Sequence, residues 1–428
     1  MKTSLSVLSL IVLCVIPSRA DEMVFDVREY GAKGDGITVD TAAIQKALDD
    51  CGKAGGGVVR LKAGNYYCQP ITIRTKTTLL IEEGATLLAS TNFSDFLKVP
   101  GDWLKATSGG DFNPFISGKD LENVTIAGKG TIEGNGAVWW EEAEKARQKV
   151  SGFTLPRPNL IVLTRVKNLI VRDVTIQNSP KFHLVPTECD DVLITNVTFL
   201  APERAPNTDA IDPSVSRRVT ITKCLIDVGD DNVAVKSGKR LDGREFAVED
   251  LTVTDCTFKH GHGMSIGSET VGGVKNVIVR NCTFENTDNG IRIKSDRKRG
   301  GTVENLVCEN ITMKNVRGAI TITSYYPKIP ALGTDTAQPV TDTTPHYKNI
   351  TIRNLAATST KNAGVIVGLP ESPVENVLLE NVSITAEQSG LEIRHAKGVT
   401  LKNVKVTPKK GEPFIVNDAQ VSGLETAK

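Results

Sequence analysis

The stretch Lys167-Asn168-Leu169-Ile170-Val171-Arg172-Asp173-Val174 sets a pattern that repeats through most of the chain. The next copy is Asp190-Asp191-Val192-Leu193-Ile194-Thr195-Asn196-Val197. From Asn168 onward the anchor residues are 22 to 44 residues apart, and after Asp191 they are Arg218, Asp250, Asn276, Asn305, Asn349, Asn376 and Gly398. A period of this length indicates a solenoid, in which the shortest spacing is one coil and longer spacings carry insertions.

Each copy alternates apolar and polar residues, which is the pattern of a strand with one buried face. The stretches between the copies show no helical pattern, which disfavours leucine-rich horseshoes and βαβ folds. Aromatic residues make up only 5% of the chain, whereas glycine is plentiful at 37 residues. The sequence therefore predicts an all-β fold: a single-stranded parallel β-helix with three short strands per coil and coils about 4.8 Å apart.

The two ends of the chain differ from the repeat. Residues 1–20 carry Lys2, an apolar run and Ser18-Arg19-Ala20, which together predict a secretory signal peptide cleaved after Ala20. We expect residues 21–428 to form one β-helix domain. Within it, residues 21–90 would form an N-terminal cap with the first coils, including a capping helix whose stripe holds Ala43, Ile44, Ala47, Leu48 and Cys51.

Two segments interrupt the repeat, and we expect both to lie outside the stack. Residues 137–156 contain Trp139-Trp140 and a charged helical segment that ends near Lys149. Residues 327–346 are rich in proline and threonine. Either segment could form the wall of a cleft, and the tryptophans could stack on sugar rings or pack against the coils.

The cysteine count argues against a complete disulfide framework, because removal of Cys14 with the signal peptide leaves seven. Cys224, Cys256 and Cys282 occupy the same position in three repeats. We interpret them as a stack of small buried residues rather than as a metal or redox site. Pairing of Cys51 with Cys68 stays open.

Charged residues gather at four places on successive repeats. Asp209 and Asp230 are 21 residues apart, close to one coil, so stacking predicts that they are neighbours. His262, between two glycines, and the pair Arg292 and Lys294 follow on later coils. Asp231 adjoins Asp230, but strict alternation cannot place both side chains outward; if both act, Gly229 must permit a local turn.

These residue types suit the hydrolysis of a glycosidic bond, which needs one carboxylic acid to protonate the leaving oxygen and one carboxylate to activate water. Three crowded carboxylates repel one another, which raises at least one pKa. A basic pair beside them could bind a carboxylate of the substrate. Taken singly, each motif is more often a solvated turn or strand face, and clustered aspartates on a β-helix can also bind Ca²⁺.

The four motifs together resemble the signature of glycoside hydrolase family 28, the polygalacturonases; they are Asn207-Thr208-Asp209, Gly229-Asp230-Asp231, Gly261-His262-Gly263 and Arg292-Ile293-Lys294. The resemblance implies a right-handed, pectin-lyase-like β-helix that hydrolyses α-1,4-linked galacturonate with inversion. It implies that Asp230 is the general acid, that Asp209 and Asp231 hold the water, and that His262 tunes Asp230. Substrate binding then falls to Asn207, Arg292, Lys294 and Tyr326.

The implied substrate is an acidic polysaccharide, homogalacturonan or its oligomers, cleaved without a cofactor or metal. A net charge of +1 gives no reason to expect nucleic acid or a membrane as a partner. We expect a monomer, secreted or periplasmic. The lengthened stretch at residues 238–245, which resembles bacterial members, suggests the hypothesis that the enzyme is exo-acting. Alternatives are a rhamnogalacturonan or xylogalacturonan hydrolase, a calcium-dependent pectate lyase, and a non-catalytic carbohydrate-binding β-helix.

Overall fold

The computed structural model describes residues 23–149, 155–238 and 247–424, so the predicted signal peptide lies outside it. The N-terminal part contains one helix, α1 (Thr41–Lys53), and seven short strands: β1 (Val24–Asp26), β2 (Asp35–Val39), β3 (Gly57–Leu61), β4 (Gly64–Cys68), β5 (Ile71–Thr72), β6 (Thr77–Ile81) and β7 (Ala85–Ala89). The apolar stripe of α1 is buried against β1, β3, β5 and β6 through Ile44, Ala47, Leu48 and Cys51. This is the capping helix that the sequence predicts.

The middle of the chain adds strands in order of sequence. They are β8 (Ile116–Ala127), β9 (Thr131–Glu133), β10 (Ile161–Arg172), β11 (Thr175–Gln177), β12 (Leu184–Thr187), β13 (Asp190–Thr195), β14 (Thr198–Leu200), β15 (Arg217–Thr222), β16 (Leu225–Asp227), β17 (Val233–Val235), β18 (Val248–Thr254), β19 (Thr257–Phe258), β20 (Met264–Ile266), β21 (Val274–Arg280), β22 (Thr283–Glu285) and β23 (Asn289–Lys294).

The last coils are wound from longer strands: β24 (Thr302–Thr323), β25 (His346–Val367), β26 (Val374–Ala386), β27 (Leu391–Pro408) and β28 (Phe414–Ser422). Successive parts of β24 pair with β21, β22 and β23, so one continuous strand crosses three faces of its coil. Each strand pairs with the strand on the same face of the neighbouring coil, and all of these pairings are parallel. The predicted parallel β-helix with three strands per coil is confirmed.

Polar residues in the left-handed backbone region turn the chain between faces. The anchor residues of the sequence repeat, from Asn168 to Asn376, adopt φ of 52–59°. Asparagine and aspartate tolerate this conformation better than other residues with a β-carbon. Their side chains also join neighbouring coils: Asn305 donates to Asn276 at 3.1 Å and accepts from Asn349 at 3.2 Å. The repeated asparagines are therefore turn residues of the stack.

The core lies inside the coils, where similar side chains stack on one another from coil to coil. Phe258 and Phe284 lie in register on adjacent coils, with ring centroids 4.6 Å apart. Cys224, Cys256 and Cys282 form a buried column, as the sequence predicts. Cys51 and Cys68, whose pairing the sequence leaves open, are both buried thiols. Cys51 contacts the hydroxyl of Thr77, and Cys68 donates to the carbonyl of Gln69.

The two interruptions of the repeat lie outside the stack. One contains the helix α2 (Gly136–Lys149), and three 3₁₀ turns precede it at Phe93–Phe96, Trp103–Lys105 and Gly109–Asp111. Trp139 is fully buried and stacks on Phe93 at 4.0 Å, so it packs against the protein rather than facing a sugar. Residues 324–345 form the second loop, without helix or strand. Within the described ranges, no helix has the length and apolar character needed to span a membrane.

Candidate active site

A turn at Gly229 presents two adjacent carboxylates. A β-carbon on Gly229 would lie 2.3 Å from the carbonyl oxygen of Ala205, so the close approach of these two segments requires glycine. The backbone N–H of Gly229 donates to Thr208 Oγ1 at 2.9 Å. Asn232 points inward, where it donates to the carbonyl of His260. The turn thus breaks the strict alternation of inward and outward side chains, so Asp230 and Asp231 can share one site. The sequence analysis expected a local turn here for this reason.

Coil stacking brings three of the predicted residues into one column. Ile211 pairs with Val233, and Val233 pairs with Met264. The residues two positions earlier on these coils are Asp209, Asp231 and His262. The residue in register with Asp209 is therefore Asp231 rather than Asp230, which lies one position further back in the turn.

His262 joins Asp230 to a carboxylate that the sequence analysis did not single out. Its Nδ1 atom lies 3.0 Å from Asp230 Oδ1 and 3.7 Å from Asp231 Oδ1. On the other side of the ring, Nε2 lies 3.3 Å from Asp288 Oδ2. The amide of Asn207 donates to the second oxygen of Asp230 at 3.4 Å.

The proton of this group is held on the histidine. Burial alone would lower the pKa of His262, but its hydrogen bonds to Asp230 and Asp288 raise it to about 10. Burial alone would raise the pKa of Asp230, but the hydrogen bond and charge of His262 lower it to about 2. At neutral pH Asp230 is therefore ionised, and the proton of the pair is on His262, 3.0 Å away.

Asp231 is held by the basic pair that the sequence assigns to substrate binding. Lys294 Nζ lies 2.8 Å from Asp231 Oδ2, and Arg292 lies 3.3 Å from Oδ1. Ser265 Oγ also donates to Oδ1 at 2.7 Å. The side chain of Lys294 is only 6% exposed and that of Arg292 14% exposed, so Arg292 is the more accessible to a substrate.

A buried ion pair lies behind Asp209. Lys236 Nζ is 2.7 Å from Asp212 Oδ2 and 3.4 Å from Asp209 Oδ2. Burial and the nearby Asp212 carboxylate raise the pKa of Asp209 well above its usual range. Burial also raises the pKa of Asp212 to about 6, against the opposing charge of Lys236. Burial is thus the main cause that raises the pKa of Asp209 and Asp212, with neighbouring carboxylates adding to it. The pKa of Asp230, which the resemblance makes the general acid, is lowered instead.

Tyr326, which the resemblance assigns to substrate binding, lies beside the basic pair. Its ring centroid is 5.6 Å from the guanidinium of Arg292 and 5.3 Å from Lys294 Nζ. The neighbouring Tyr325 instead donates to Asp335 at 3.0 Å. Tyr326 therefore offers an aromatic surface at the edge of the charged group, where a sugar ring could pack.

Sequence reasoning missed Asp288 and the buried residues that support the site. Arg157, nearly inaccessible to solvent, donates to Asn207 Oδ1 at 2.8 Å and to the carbonyl of Pro206, which turns the amide N–H of Asn207 toward Asp230. Asp212 and Ser265 were available from the register, because they stand on the same outward column as Arg292. Arg157 lies within residues 155–159, which form neither helix nor strand, and no repeat pattern marks it.

Asp230, Asp231 and His262 could also be considered as ligands of a cation, since one ligand atom from each lies within 4.8 Å of the others. Lys294 and Arg292 already neutralise Asp231, and the raised pKa of His262 opposes metal binding through a neutral imidazole. The donor set therefore fits a protonated histidine better than a divalent metal.

Comparison with known proteins gives consistent relatives. The chain is 35% identical over 383 residues to the endo-polygalacturonase of Pectobacterium carotovorum subsp. carotovorum, covering 86% of this chain and 89% of that protein. It is 30% identical over 377 residues to the polygalacturonase of Persea americana, covering 86% and 75%.

Solved structures with the same architecture include the polygalacturonase of Erwinia carotovora ssp. carotovora, with a TM-score of 0.70 and 33% identity over 90% of this chain and 94% of that one. The hyperthermoactive exopolygalacturonase of Thermotoga maritima gives a TM-score of 0.73 and 25% identity, covering 92% of each chain. The family model for glycosyl hydrolases family 28 matches residues 51–407. The chain, with its four motifs gathered in one site, belongs to glycosyl hydrolases family 28.

Proposed function

We propose that this protein hydrolyses the α-1,4-galacturonosidic bonds of polygalacturonate with inversion. The observation that carries the proposal is the meeting of Asp209, Asp230 and Asp231 with a protonated His262. Beside them lies a cationic edge formed by Arg292 and Lys294, next to the ring of Tyr326. Acid–base groups and a carboxylate-binding group are both needed for this substrate. Several relatives are named polygalacturonases, which supports the same assignment.

Asp230 acts as the general acid in this proposal. A proton moves from Nδ1 of His262 onto Asp230 as Asp230 protonates the leaving glycosidic oxygen. The bond between the anomeric carbon and that oxygen breaks, and the chain end departs as an alcohol. His262 is left neutral and Asp230 ionised, so the pair has lost one proton. The proton that Asp209 takes from the attacking water balances this loss.

Asp209 is the favoured base. One of its oxygens, Oδ1, is buried and accepts no hydrogen bond from a described residue, whereas both oxygens of Asp231 are already held. A carboxylate whose pKa is raised is also the stronger base. Asp209 takes the proton of a water molecule whose oxygen forms the new bond to the anomeric carbon, and Asp231 helps to position that water.

The cationic edge binds the galacturonate carboxylate. Arg292 supplies a planar guanidinium that can bind a carboxylate through two parallel hydrogen bonds. Lys294 is nearly inaccessible and contributes by neutralising Asp231. Tyr326 packs on the sugar ring, and Asn207 contacts the sugar on the opposite side of Asp230.

Whether the enzyme cuts within the chain or at its end stays a prediction. The stretch that suggests exo-action is 238–245, and all of it except residue 238 lies outside the described part of the chain. A cavity of about 600 Å³ lined by Trp140, Arg204 and Asn207 lies on one side of the site, and one of about 460 Å³ beyond Tyr326 lies on the other. Space on both sides favours internal cleavage, in line with the endo-polygalacturonase relatives.

One digestion series tests the activity and its mode. Polygalacturonate, rhamnogalacturonan and xylogalacturonan are incubated separately, and early products are separated by length. We expect reducing ends chiefly from polygalacturonate, with mid-length oligomers for endo-action or single sugars for exo-action. Preference for another backbone would overturn the substrate assignment. Products with ultraviolet absorbance, lost on chelation, would indicate a lyase, and binding without products would indicate a carbohydrate-binding protein.

Export and oligomeric state are proposals of the same kind. We propose that residues 1–20 direct export, to the periplasm or beyond, with cleavage after Ala20. N-terminal sequencing of the protein recovered outside the cytoplasm tests this, because an intact Met1 would contradict it. Light scattering tests the expected monomer.

A further inference from the structure

Asp288 stands next to the catalytic group although none of the four motifs contains it. It lies immediately before β23, and both of its backbone polar groups are used. Its N–H donates to the carbonyl of Gly261 at 2.7 Å, and its carbonyl accepts from the N–H of Gly318 at 3.1 Å. Hydrogen bonds to the coils on either side therefore fix the position of Asp288 beside His262.

The ring of His262 lies between two carboxylates. Nδ1 is 3.0 Å from Asp230 and Nε2 is 3.3 Å from Asp288. A neutral imidazole donates from only one nitrogen, whereas an imidazolium donates from both. Two acceptors on opposite sides of the ring therefore select the charged form and fix the ring plane.

We propose that Asp288 is a positioning residue of this enzyme, which orients the imidazole of His262 toward Asp230 and keeps a proton on Nδ1. The proposal rests on the proposed hydrolysis for its consequence in catalysis. In this proposal Asp288 acts through His262 and not on the reacting atoms. Asp288 accepts a hydrogen bond from Nε2–H throughout. After the Nδ1 proton is transferred, His262 is therefore left as the Nε2–H tautomer and can be protonated again at Nδ1.

The charges around His262 support this assignment. The carboxylates that face it are Asp230, Asp231 and Asp288, while the cations Arg292 and Lys294 are held by Asp231 and Arg317 lies near Asp288. The hydrogen bond to His262 lowers the pKa of Asp288, with burial opposing it. Removing the Asp288 charge therefore lowers the pKa of His262, since the contact with Asp288 is one of the causes that raise it.

The test compares Asp288→Asn and Asp288→Glu with the wild-type protein. The NMR signals of His262 are followed against pH in the absence of substrate, which gives its pKa and its tautomer directly. In Asp288→Asn we expect the pKa to fall by about one unit or more, and Asp288→Glu to restore it. The alkaline limb of kcat/KM should move to lower pH by the same amount, about a tenfold loss per unit above the new pKa, with KM little changed.

Asp227→Asn is the matched control, because Asp227 contacts His260 at 2.8 Å in an equivalent pair outside the site. It should leave the titration of His262 and the pH profile unchanged. An unaltered His262 pKa in a folded Asp288→Asn protein would overturn the proposal. Failure of the wild-type protein to cleave polygalacturonate would overturn the proposed function instead, since the titration of His262 needs no substrate.

Discussion

The Nδ1 atom of His262 lies 3.0 Å from Oδ1 of Asp230, although 32 residues of chain separate them. The contact exists because the turn at Gly229 and the next coil place both side chains on the same side of the β-helix, one coil apart. His262 carries the proton of this pair, and in the proposed reaction Asp230 passes it to the leaving oxygen. The variants below test this division of roles and the structures that support it.

Asp230→Asn should lower kcat on polygalacturonate by about 10²–10⁴, the usual contribution of a general acid. The loss should be much smaller on an oligogalacturonide with a nitrophenol leaving group, because that group departs without protonation. Steady-state rates on both substrates make the comparison. Asp209→Asn, which removes the proposed base, should be equally impaired on both. The reverse pattern would assign the acid to Asp209, and Asp227→Asn serves as the unaffected control.

Arg292→Gln should raise KM for polygalacturonate and lower kcat/KM about 10- to 150-fold, since a hydrogen bond to a charged group contributes about 1.5–3 kcal/mol. On a substrate whose carboxylates are methyl-esterified, the kcat/KM values of the variant and the wild type should differ much less. Kinetics on polymers of graded esterification provide the measurement. Arg280→Gln, at an exposed strand position, is the control, and equal losses on both polymers would argue against carboxylate recognition.

Lys236→Met should lower the free energy of unfolding by about 3–5 kcal/mol, because it leaves Asp212 buried without its cation. Asp212→Leu combined with Lys236→Met should recover much of that loss. Urea unfolding of the single and double variants measures both effects. Lys275→Met removes an exposed pair with Glu249 and should change the free energy by no more than about 1 kcal/mol.

The stability of the Lys236→Met protein should also depend on pH. The folded-state pKa of Asp212 is raised to about 6 even with Lys236 present. A carboxyl group whose pKa is raised on folding contributes stability that is present below its unfolded pKa of 3.8 and is lost as pH rises through the folded value. The deficit of the variant should therefore shrink between pH 7 and pH 4, and a constant deficit would show that Asp212 stays ionised.

Asn305→Ala should lower the free energy of unfolding by about 1–3 kcal/mol, because alanine is strained at a φ of 59° and cannot bridge Asn276 and Asn349. Asn305→Gly removes the strain but also lacks the bridge, so its loss should be smaller. Thermal or urea unfolding compares the two. If both variants lose the same amount, the side-chain ladder rather than the backbone conformation is the source of stability.

The repeat made the architecture predictable, because each coil must satisfy the same alternation and the same turn. The anchors from Asn168 to Asn376 predicted the coils, and the structure shows that they are the left-handed turn residues. The same alternation predicted that Arg292 and Lys294 share a face, and that Asp231 needs a turn at Gly229. The long strands β24 and β25 were not foreseen, since their length comes from continuous pairing around corners rather than from local pattern.

The supporting side chains were less predictable, because their positions depend on loops and on register between coils. Asp288 precedes a strand by one residue, so its contact with His262 requires knowledge of where the neighbouring coil ends. Arg157 lies in an irregular segment and reaches two other stretches of chain, at Pro180 and at Pro206-Asn207. The pKa values also depended on contacts between coils. Crowding was visible in the sequence, but the proton lies on His262 because its contacts with Asp230 and Asp288 outweigh burial, which opposes the charged ring.

The buried thiols of Cys224, Cys256 and Cys282 can serve as probes of local opening of the β-helix. Each thiol sits on a different coil and is sealed from solvent, so it reacts with an alkylating reagent only when its coil separates from a neighbour. Mass spectrometry of labelled peptides would therefore report the order in which coils open. Because these three thiols are not joined by disulfides, folding of this part of the stack needs no oxidant.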